Sequence, residues 1–237
     1  MRNLLFPVFS LILLVSCSEK KSDKNFVLSG NIKGLKNGTL YIQRIKDTVL
    51  VPIDTITIDG DSHFTSAFNL DSPEMLYLFL DRGVTNSLDN NISFFAEKGN
   101  MNIETSLDYF TADAKITGSK NQALYEEYRK VISRYTDQNL SLVEKKFKAY
   151  KEGKLDAVAK MEKEQEGITL RRYLYTTNFA VNNGKYEVAP YVALAEIYDI
   201  NLKYLDTIQK SMSPKVAQSL YGKKLNEFIA QRQKAEK

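Results

Sequence analysis

The stretch "ITGSKNQALYEEY", residues 116–128, marks the point where the pattern of the chain changes from strand-like to helical. Before Gly118, the apolar residues fall in short runs of the kind that form β-strands. From Ser119 onward, they recur every three or four positions, as on one face of a helix. Ser119 followed by Gln122 is also a capping-box pattern for a helix N-terminus. The sequence therefore predicts a β part over residues 26–118 and a helical part over residues 119–237.

The β part contains three predicted hairpins, in which turn residues that tolerate positive φ separate two strand-like runs. Their turns lie at Lys36-Asn37-Gly38, at Asp59-Gly60 and at Lys98-Gly99-Asn100. The run "MLYLFL", residues 75–80, predicts a strand that is buried on both faces. Short strands at this spacing predict an antiparallel β-sandwich or an open barrel.

The helical part predicts a long helical hairpin followed by shorter helices. Apolar residues occur at helical spacing in the first helix, at Leu124, Tyr128, Val131, Tyr135, Leu142, Phe147 and Tyr150. Gly153 ends this helix, and the charged middle of the second, "KMEKEQEG", predicts exposure to solvent. The later helices are predicted over residues 155–181, 190–197 and 202–212, with one more after the Ser213-Pro214 cap. Because helices do not alternate with strands, the fold class is α+β with two segregated parts.

The N-terminus has the pattern of an export signal, with Arg2 before an apolar run from Leu4 to Val15. The run is shorter than the roughly 20 residues of a membrane-spanning helix. "LVSC", residues 14–17, resembles the lipobox of bacterial lipoproteins. That resemblance implies cleavage before Cys17 and a diacylglycerol on its sulfur, which would make the membrane a partner. We expect a signal peptide over residues 1–16 and a tether over residues 17–25; the alternative is a soluble secreted protein cleaved near a cysteine.

Composition limits the classes of partner and of chemistry. Cys17 is the only cysteine, so the chain forms no internal disulfide and its stability depends on an ordinary core. The chain has 33 lysines and arginines and 29 acidic residues, which gives a net charge of only +4. This mild balance does not favour a nucleic-acid partner.

Searching for catalytic or metal-binding residues gives no candidate, and we expect no cofactor. His63, the only histidine, follows Asp59 and Asp61, but calcium and zinc sites need further ligands at defined spacings. We expect an exposed histidine at a turn. The carboxylate pairs Glu126-Glu127 and Glu162-Glu164 are typical of solvated helix faces.

An aromatic and basic cluster, "RRYLYTTNF", has two interpretations. It places Tyr173, Tyr175 and Phe179 on one helix beside Arg171 and Arg172. Tyrosine and arginine are favoured in protein contact surfaces. The alternative, which we favour, is that this helix packs on its hairpin partner.

Three segments together resemble the family known as domain of unknown function 4369: "FVLSGNIKGLKNGTLYIQRI", "DTITIDGDSHFTSAF" and "FFAEKGNMNIE…ITGSKNQALYEEY". In that family the β domain follows a lipoprotein signal in Gram-negative envelope proteins. The segment "SPKVAQSLYGKKLNEFI" is similar to the helical region that comes next. In many members this region leads into a thioredoxin-like domain with a Cys-x-x-Cys pair. This chain has no second cysteine, so we expect that it does not perform thiol–disulfide exchange alone.

These observations predict a non-catalytic, lipid-anchored envelope protein that binds a protein or a small ligand. The alternative is an accessory subunit to thiol–disulfide exchange, working with a thioredoxin-like domain on another chain. A third possibility is a purely structural role. We expect the protein to be anchored in the outer membrane. We expect it on the periplasmic face, because the residues after Cys17 lack an acidic run.

Overall fold

The computed structural model describes residues 23–83 and 87–236, so the signal segment and Cys17 lie outside the described residues. Within these ranges the strands are β1 (Phe26–Lys33), β2 (Asn37–Lys46), β3 (Val49–Asp59), β4 (His63–Phe68), β5 (Glu74–Asp81), β6 (Asn91–Ala96), β7 (Gly99–Ser106) and β8 (Lys115–Thr117). The helices are α1 (Lys120–Lys151), α2 (Leu155–Asn182), α3 (Val188–Glu196), α4 (Leu202–Ser211), α5 (Pro214–Ala217) and α6 (Leu220–Ala235). The predicted class, a β part followed by a helical part, is confirmed.

The strands form two four-stranded sheets that pack face to face. One sheet, here sheet A, has the order β4-β1-β7-β8, and the other, sheet B, has the order β3-β2-β5-β6. Leu28 and Ile103 of sheet A share a buried cluster with Leu40 and Leu78 of sheet B. The described strands thus form an open β-sandwich rather than a closed barrel.

None of the three predicted hairpins forms, because each turn carries the chain from one sheet to the other. β1, β4 and β7 belong to sheet A, whereas β2, β3 and β6 belong to sheet B. One tight hairpin that does form joins β2 to β3 through Asp47 and Thr48, both with positive φ. Turn residues allow a chain to reverse direction, but they do not decide which strands share hydrogen bonds.

One strand pair is parallel, which corrects the expectation of a purely antiparallel sandwich. β1 and β7 pair in parallel from Phe26 with Gly99 to Lys33 with Ser106. The other pairs among the described strands are antiparallel. The parallel pair follows from the crossovers, which return the chain to sheet A at the end where β1 begins.

Sheet B separates the two hydrophobic cores of the protein. Along β6, Phe94 points into the sandwich, and the next residue, Phe95, packs among the helices, both with 0% exposure. Along β5, Leu76 and Leu78 face the sandwich while Met75 joins the helical core. The prediction that residues 75–80 form a strand covered on both faces is confirmed.

Helix α1 begins as predicted at Ser119, but its capping box is only half formed. The Ser119 hydroxyl oxygen accepts a hydrogen bond from the Gln122 N–H at 3.0 Å. The Gln122 side chain does not return to Ser119; its Oε1 accepts from the Phe95 N–H of β6 at 2.7 Å. Gln122 therefore satisfies a donor on the outer edge of sheet B, where an unpaired N–H would be costly.

Helices α1 and α2 form the predicted long hairpin, joined at Gly153 with φ +72°. The predicted apolar stripe of α1 is wrong at its outer end. Leu142 and Ala149 are buried against α2, whereas Phe147 and Tyr150 are exposed. A helix in a two-helix hairpin has only one covered face, and these two aromatic residues lie off it.

The remaining helices differ from prediction mainly at their ends. Helix α3 begins at Val188, before the predicted start at Pro190, because proline is tolerated within a first helical turn. Each of the described helices is too short or too polar to cross a membrane.

The link between β8 and α1 depends on Gly118, and we predict a marked loss of stability in Gly118→Ala. Gly118 has φ +97°, and an added Cβ would lie 2.1 Å from the Asn100 carbonyl oxygen. Gly153→Ala is the matched control, since its φ is also positive but nothing lies within 4 Å of its Cβ position. The left-handed backbone alone costs about 1–2 kcal/mol. Urea unfolding should show a larger loss for Gly118→Ala; equal losses would contradict the close contact.

Candidate functional site

Connecting segments from both parts of the protein meet at the junction and enclose a cleft of about 470 Å³, here the junction cleft. It is bounded by the β4–β5, β6–β7 and α2–α3 connections, the first turn of α1, and the segment from α5 to α6. The lining residues are Asp71, Ser72, Pro73, Glu97, Lys98, Asn121, Lys185, Tyr186, Glu187, Lys215, Gln218 and Ser219. Clefts between structural units are common positions for ligand sites.

The buried amide of Asn121 holds the wall of this cleft together. Its Nδ2 donates to Glu97 Oε2 and to Glu187 Oε2, each at 3.0 Å. Its Oδ1 accepts from the Val188 N–H at 2.8 Å, at the start of α3. The same Glu97 oxygen also accepts from the Ser119 hydroxyl at 2.9 Å. One side chain thus connects sheet B, α1 and α3 through hydrogen bonds to charged groups, which are stronger than neutral ones.

Glu187 is a buried carboxylate whose hydrogen-bonding capacity is only partly used. It is 4% exposed, and Asn121 donates to its Oε2. Within residues 23–83 and 87–236, no group donates to its Oε1, and no cation lies within 4.0 Å of it or of Glu97. Glu187 Oε1 is not among the buried side-chain atoms without a partner, so it reaches the solvent of the cleft, where a cationic group of a ligand can contact it.

The positive charges of the cleft are the lysines Lys98, Lys185 and Lys215, all with exposed side chains. Lysine is a flexible point charge with three donors, suited to an anionic group of varied shape. The cleft therefore combines a fixed acidic wall with a mobile basic rim.

The two serine hydroxyl groups of the cleft are already engaged with the backbone. Ser72 Oγ accepts from the Leu220 N–H at 3.1 Å, and Ser219 Oγ donates to the Val216 carbonyl oxygen at 2.6 Å. The lining contains neither histidine nor cysteine.

A second charged group lies on sheet B, where Glu74 directly follows Pro73 of the cleft. Arg44 forms an ion pair with Glu74 at 2.9 Å, and the Arg44 Nε is buried without a partner. Burial raises the pKa of Glu74, although the Arg44 guanidinium opposes this effect. Beside it, the Tyr221 hydroxyl accepts from the Met75 N–H at 2.9 Å, and burial raises the pKa of this phenol.

His63 and the paired glutamates are exposed at a turn and on helix surfaces, as the sequence predicted. His63 is exposed, and its Nδ1 lies 2.7 Å from Asp61 Oδ1. The hydrogen bond from the His63 N–H to Asp61, together with the ring contact, lowers the pKa of that carboxyl. Glu126, Glu127, Glu162 and Glu164 are all exposed on α1 and α2. In the described part of the chain, no three histidine, cysteine or acidic side chains are grouped as metal ligands.

The aromatic cluster of α2 packs against its hairpin partner, as favoured above. Phe179 is buried with its ring 4.9 Å from that of Tyr128, and the Tyr175 ring lies 6.0 Å from Tyr128. Tyr173 instead donates to Asp199 at 2.7 Å. Arg171 is exposed, and the Arg172 guanidinium lies 5.4 Å from the Tyr173 ring centre.

Sequence reasoning missed the junction cleft, because its residues come from five separate segments between positions 71 and 219. Neither Asn121 nor Glu187 was singled out from the sequence. The capping-box pattern pointed to neighbours of this site, Ser119 and Gln122, but assigned them a local role.

The fold and the cleft define a class: an open β-sandwich with a helical bundle packed on its outer sheet and a polar cleft between them. Residues 26–125 match the family model described as Domain of unknown function (DUF4369). The matched segment continues past β8 into α1, so it includes Asn121 and Gln122. No curated protein and no solved structure matches the chain.

The raised pKa of Glu74 predicts a pH-dependent stability. Between its ordinary pKa near 4.5 and the higher value in the fold, the folded protein binds more protons than the unfolded chain. The free energy of unfolding therefore falls as pH rises through this window, and Glu74→Gln removes that contribution. Urea titrations from pH 4 to 7 should show wild-type stability falling relative to the variant. Glu127→Gln, at an exposed site, is the control. If the stability of the wild type instead rises with pH relative to that of Glu74→Gln, the Arg44 ion pair dominates the pKa of Glu74.

Proposed function

We propose that this protein is a lipid-anchored component of the cell envelope that binds a protein or a small ligand at the junction cleft and catalyses no reaction. It is anchored through a diacylglycerol on Cys17 and works at the periplasmic face of the outer membrane. The observation that carries the binding part is the Glu187 carboxylate, buried at 4% exposure and unpaired at one oxygen.

The anchor is supported by the sequence alone. The apolar run from Leu4 to Val15, the small residue Ser16 and the polar residues after Cys17 agree with lipoprotein processing. A diacylated cysteine supplies the two acyl chains that stable anchoring requires.

The chemistry of the cleft favours a ligand with charges of both signs. A cationic donor, such as an ammonium or guanidinium group, satisfies Glu187 Oε1 at the buried wall. An anionic group contacts the lysines on the rim, of which Lys185 is two residues from Glu187. A peptide segment with neighbouring basic and acidic side chains meets both requirements.

The second candidate function is an accessory role in thiol–disulfide exchange. It is favoured by the match of residues 26–125 to a family model, because that family resembles the N-terminal part of such enzymes. In this case the partner at the cleft is a thioredoxin-like domain on another chain, which supplies both thiols.

The anchor predicts that Cys17→Ala releases the protein from membranes. Without the thiol, no lipid is attached, and the substitution changes none of residues 23–83 and 87–236, which form the described fold. Fractionation of cells should find the variant in the soluble envelope fraction and the wild type with membranes. Ser18→Ala is the matched control, and continued membrane partitioning of Cys17→Ala would refute the anchor.

The binding role predicts a specific photo-crosslink from the cleft. We replace Tyr186, in the cleft, with p-benzoylphenylalanine and illuminate intact cells; Tyr198, which is 58% exposed on another loop, is the control position. We expect one discrete adduct from position 186 and none from position 198. Glu187→Gln, which keeps the shape of the side chain but removes its charge, should reduce the adduct several-fold.

Equal crosslinking at both positions, or an adduct that is insensitive to Glu187→Gln, would contradict ligand binding at the cleft. Mass spectrometry of the adduct separates the two candidate functions, because a thioredoxin-fold partner supports the accessory role and any other ligand supports the first.

A further inference from the structure

The outer half of the helical hairpin exposes an apolar face that no other described part of the protein covers. Leu140, Val143, Phe147 and Tyr150 are 59%, 44%, 59% and 67% exposed. Their spacing of three, four and three residues keeps them within an arc of roughly 80° on α1. Leu155, at the start of α2, is 65% exposed just beyond the loop. We call these five residues the hairpin face.

The hairpin face is distinct from the side of α1 that packs on α2. Leu142 and Ala149 are 6% and 7% exposed at that packed side. Lys146 also points there, with its Nζ 2.9 Å from Gln165 Oε1 and 3.8 Å from Glu162. The apolar residues of the hairpin face therefore take no part in the packing of α1 on α2. Contiguous exposed apolar groups of this kind mark interaction sites.

The charge around the hairpin face is positive. Residues 140–160 contain six lysines and three acidic residues, for a net charge of +3. The Lys151 ammonium lies 4.4 Å from the centre of the Phe147 ring, directly beside the apolar face. Lys148 and Lys154 are also exposed along this end of the hairpin. The acidic residues of α2, from Glu162 to Glu166, lie farther from the loop, and Glu162 already faces Lys146.

We propose that the hairpin face lies on the surface of an anionic lipid bilayer. Helices that rest in the bilayer interface combine an exposed apolar face with lysines beside it. Aromatic residues such as Tyr150 and Phe147 suit the boundary between headgroups and acyl chains, and long lysine side chains extend from it to the phosphates. A second copy of the chain fits less well, since two faces of the same positive charge repel each other.

This contact is separate from the lipid proposed for Cys17. An acyl anchor binds bilayers of neutral and anionic lipid alike, whereas lysines beside an apolar face favour anionic headgroups. A difference between the two kinds of vesicle therefore reports the hairpin and not the anchor.

The test uses tryptophan fluorescence, because the chain has no tryptophan of its own. The full-length Phe147→Trp variant is reconstituted into phosphatidylcholine vesicles with or without phosphatidylglycerol, some carrying brominated acyl chains. With phosphatidylglycerol, we expect the emission to shift to shorter wavelength and to be quenched by bromine. The control is Tyr109→Trp in the β part, at a position with 66% exposure, which should show neither effect.

Charge variants test the electrostatic part of the contact. Lys148→Gln with Lys151→Gln should abolish most of the quenching at position 147, and added salt should do the same. Lys203→Gln with Lys210→Gln, which removes two exposed lysines from α4, should leave it unchanged. Identical emission at positions 147 and 109 in anionic vesicles would overturn the proposal. So would a blue shift that depends on protein concentration and not on lipid, since that result identifies a second copy as the occupant.

Discussion

The arrangement of the protein depends on one buried side-chain amide. Asn121 donates to carboxylates on both sides of the junction, Glu97 after β6 and Glu187 before α3, and accepts from the Val188 N–H. At 2% exposure it is shielded from bulk solvent, so its loss would leave Glu187 Oε2 and the Val188 N–H without their partners, although Glu97 would keep the Ser119 hydroxyl. The direction in which α1 leaves the sandwich is set here, and the positions of α2 and α3 follow from it.

A second constraint is that the sandwich and the helices share one layer. Along β6 and the start of β5, sheet B is covered on both faces, so adjacent residues such as Phe94 and Phe95 belong to different cores. The rings of Tyr191 and Tyr221 pack against Phe95 at 5.5 and 5.9 Å, which joins α3 and α6 to the sheet through edge-to-face contacts. A shift of the helices therefore disturbs sheet B. The junction cleft is held in place by both cores, because its walls connect elements of each.

The two surfaces of functional interest differ in how they arise. The junction cleft is polar because it forms where connecting segments end, and its acidic wall is held by Asn121 from within. The hairpin face is apolar because α1 continues well beyond the body of the protein, where α2 can cover only one of its sides. One surface is suited to a charged ligand, and the other to an extended lipid surface, so the same chain can hold both without competition.

The sequence by itself determined the class of the fold, since the change of period after Gly118 and the apolar run of residues 75–80 reflect local geometry. It also determined the N-terminus of α1 at Ser119 and the break at Gly153, which depend on residues a few positions apart. Only the tertiary structure decided strand pairing, because Asp59-Gly60 and Lys98-Gly99-Asn100 reverse the chain equally well within a sheet or between sheets. Only the tertiary structure likewise assembled the junction cleft, since Glu97, Asn121 and Glu187 lie far apart in the chain and a buried hydrogen-bonding role leaves no local pattern.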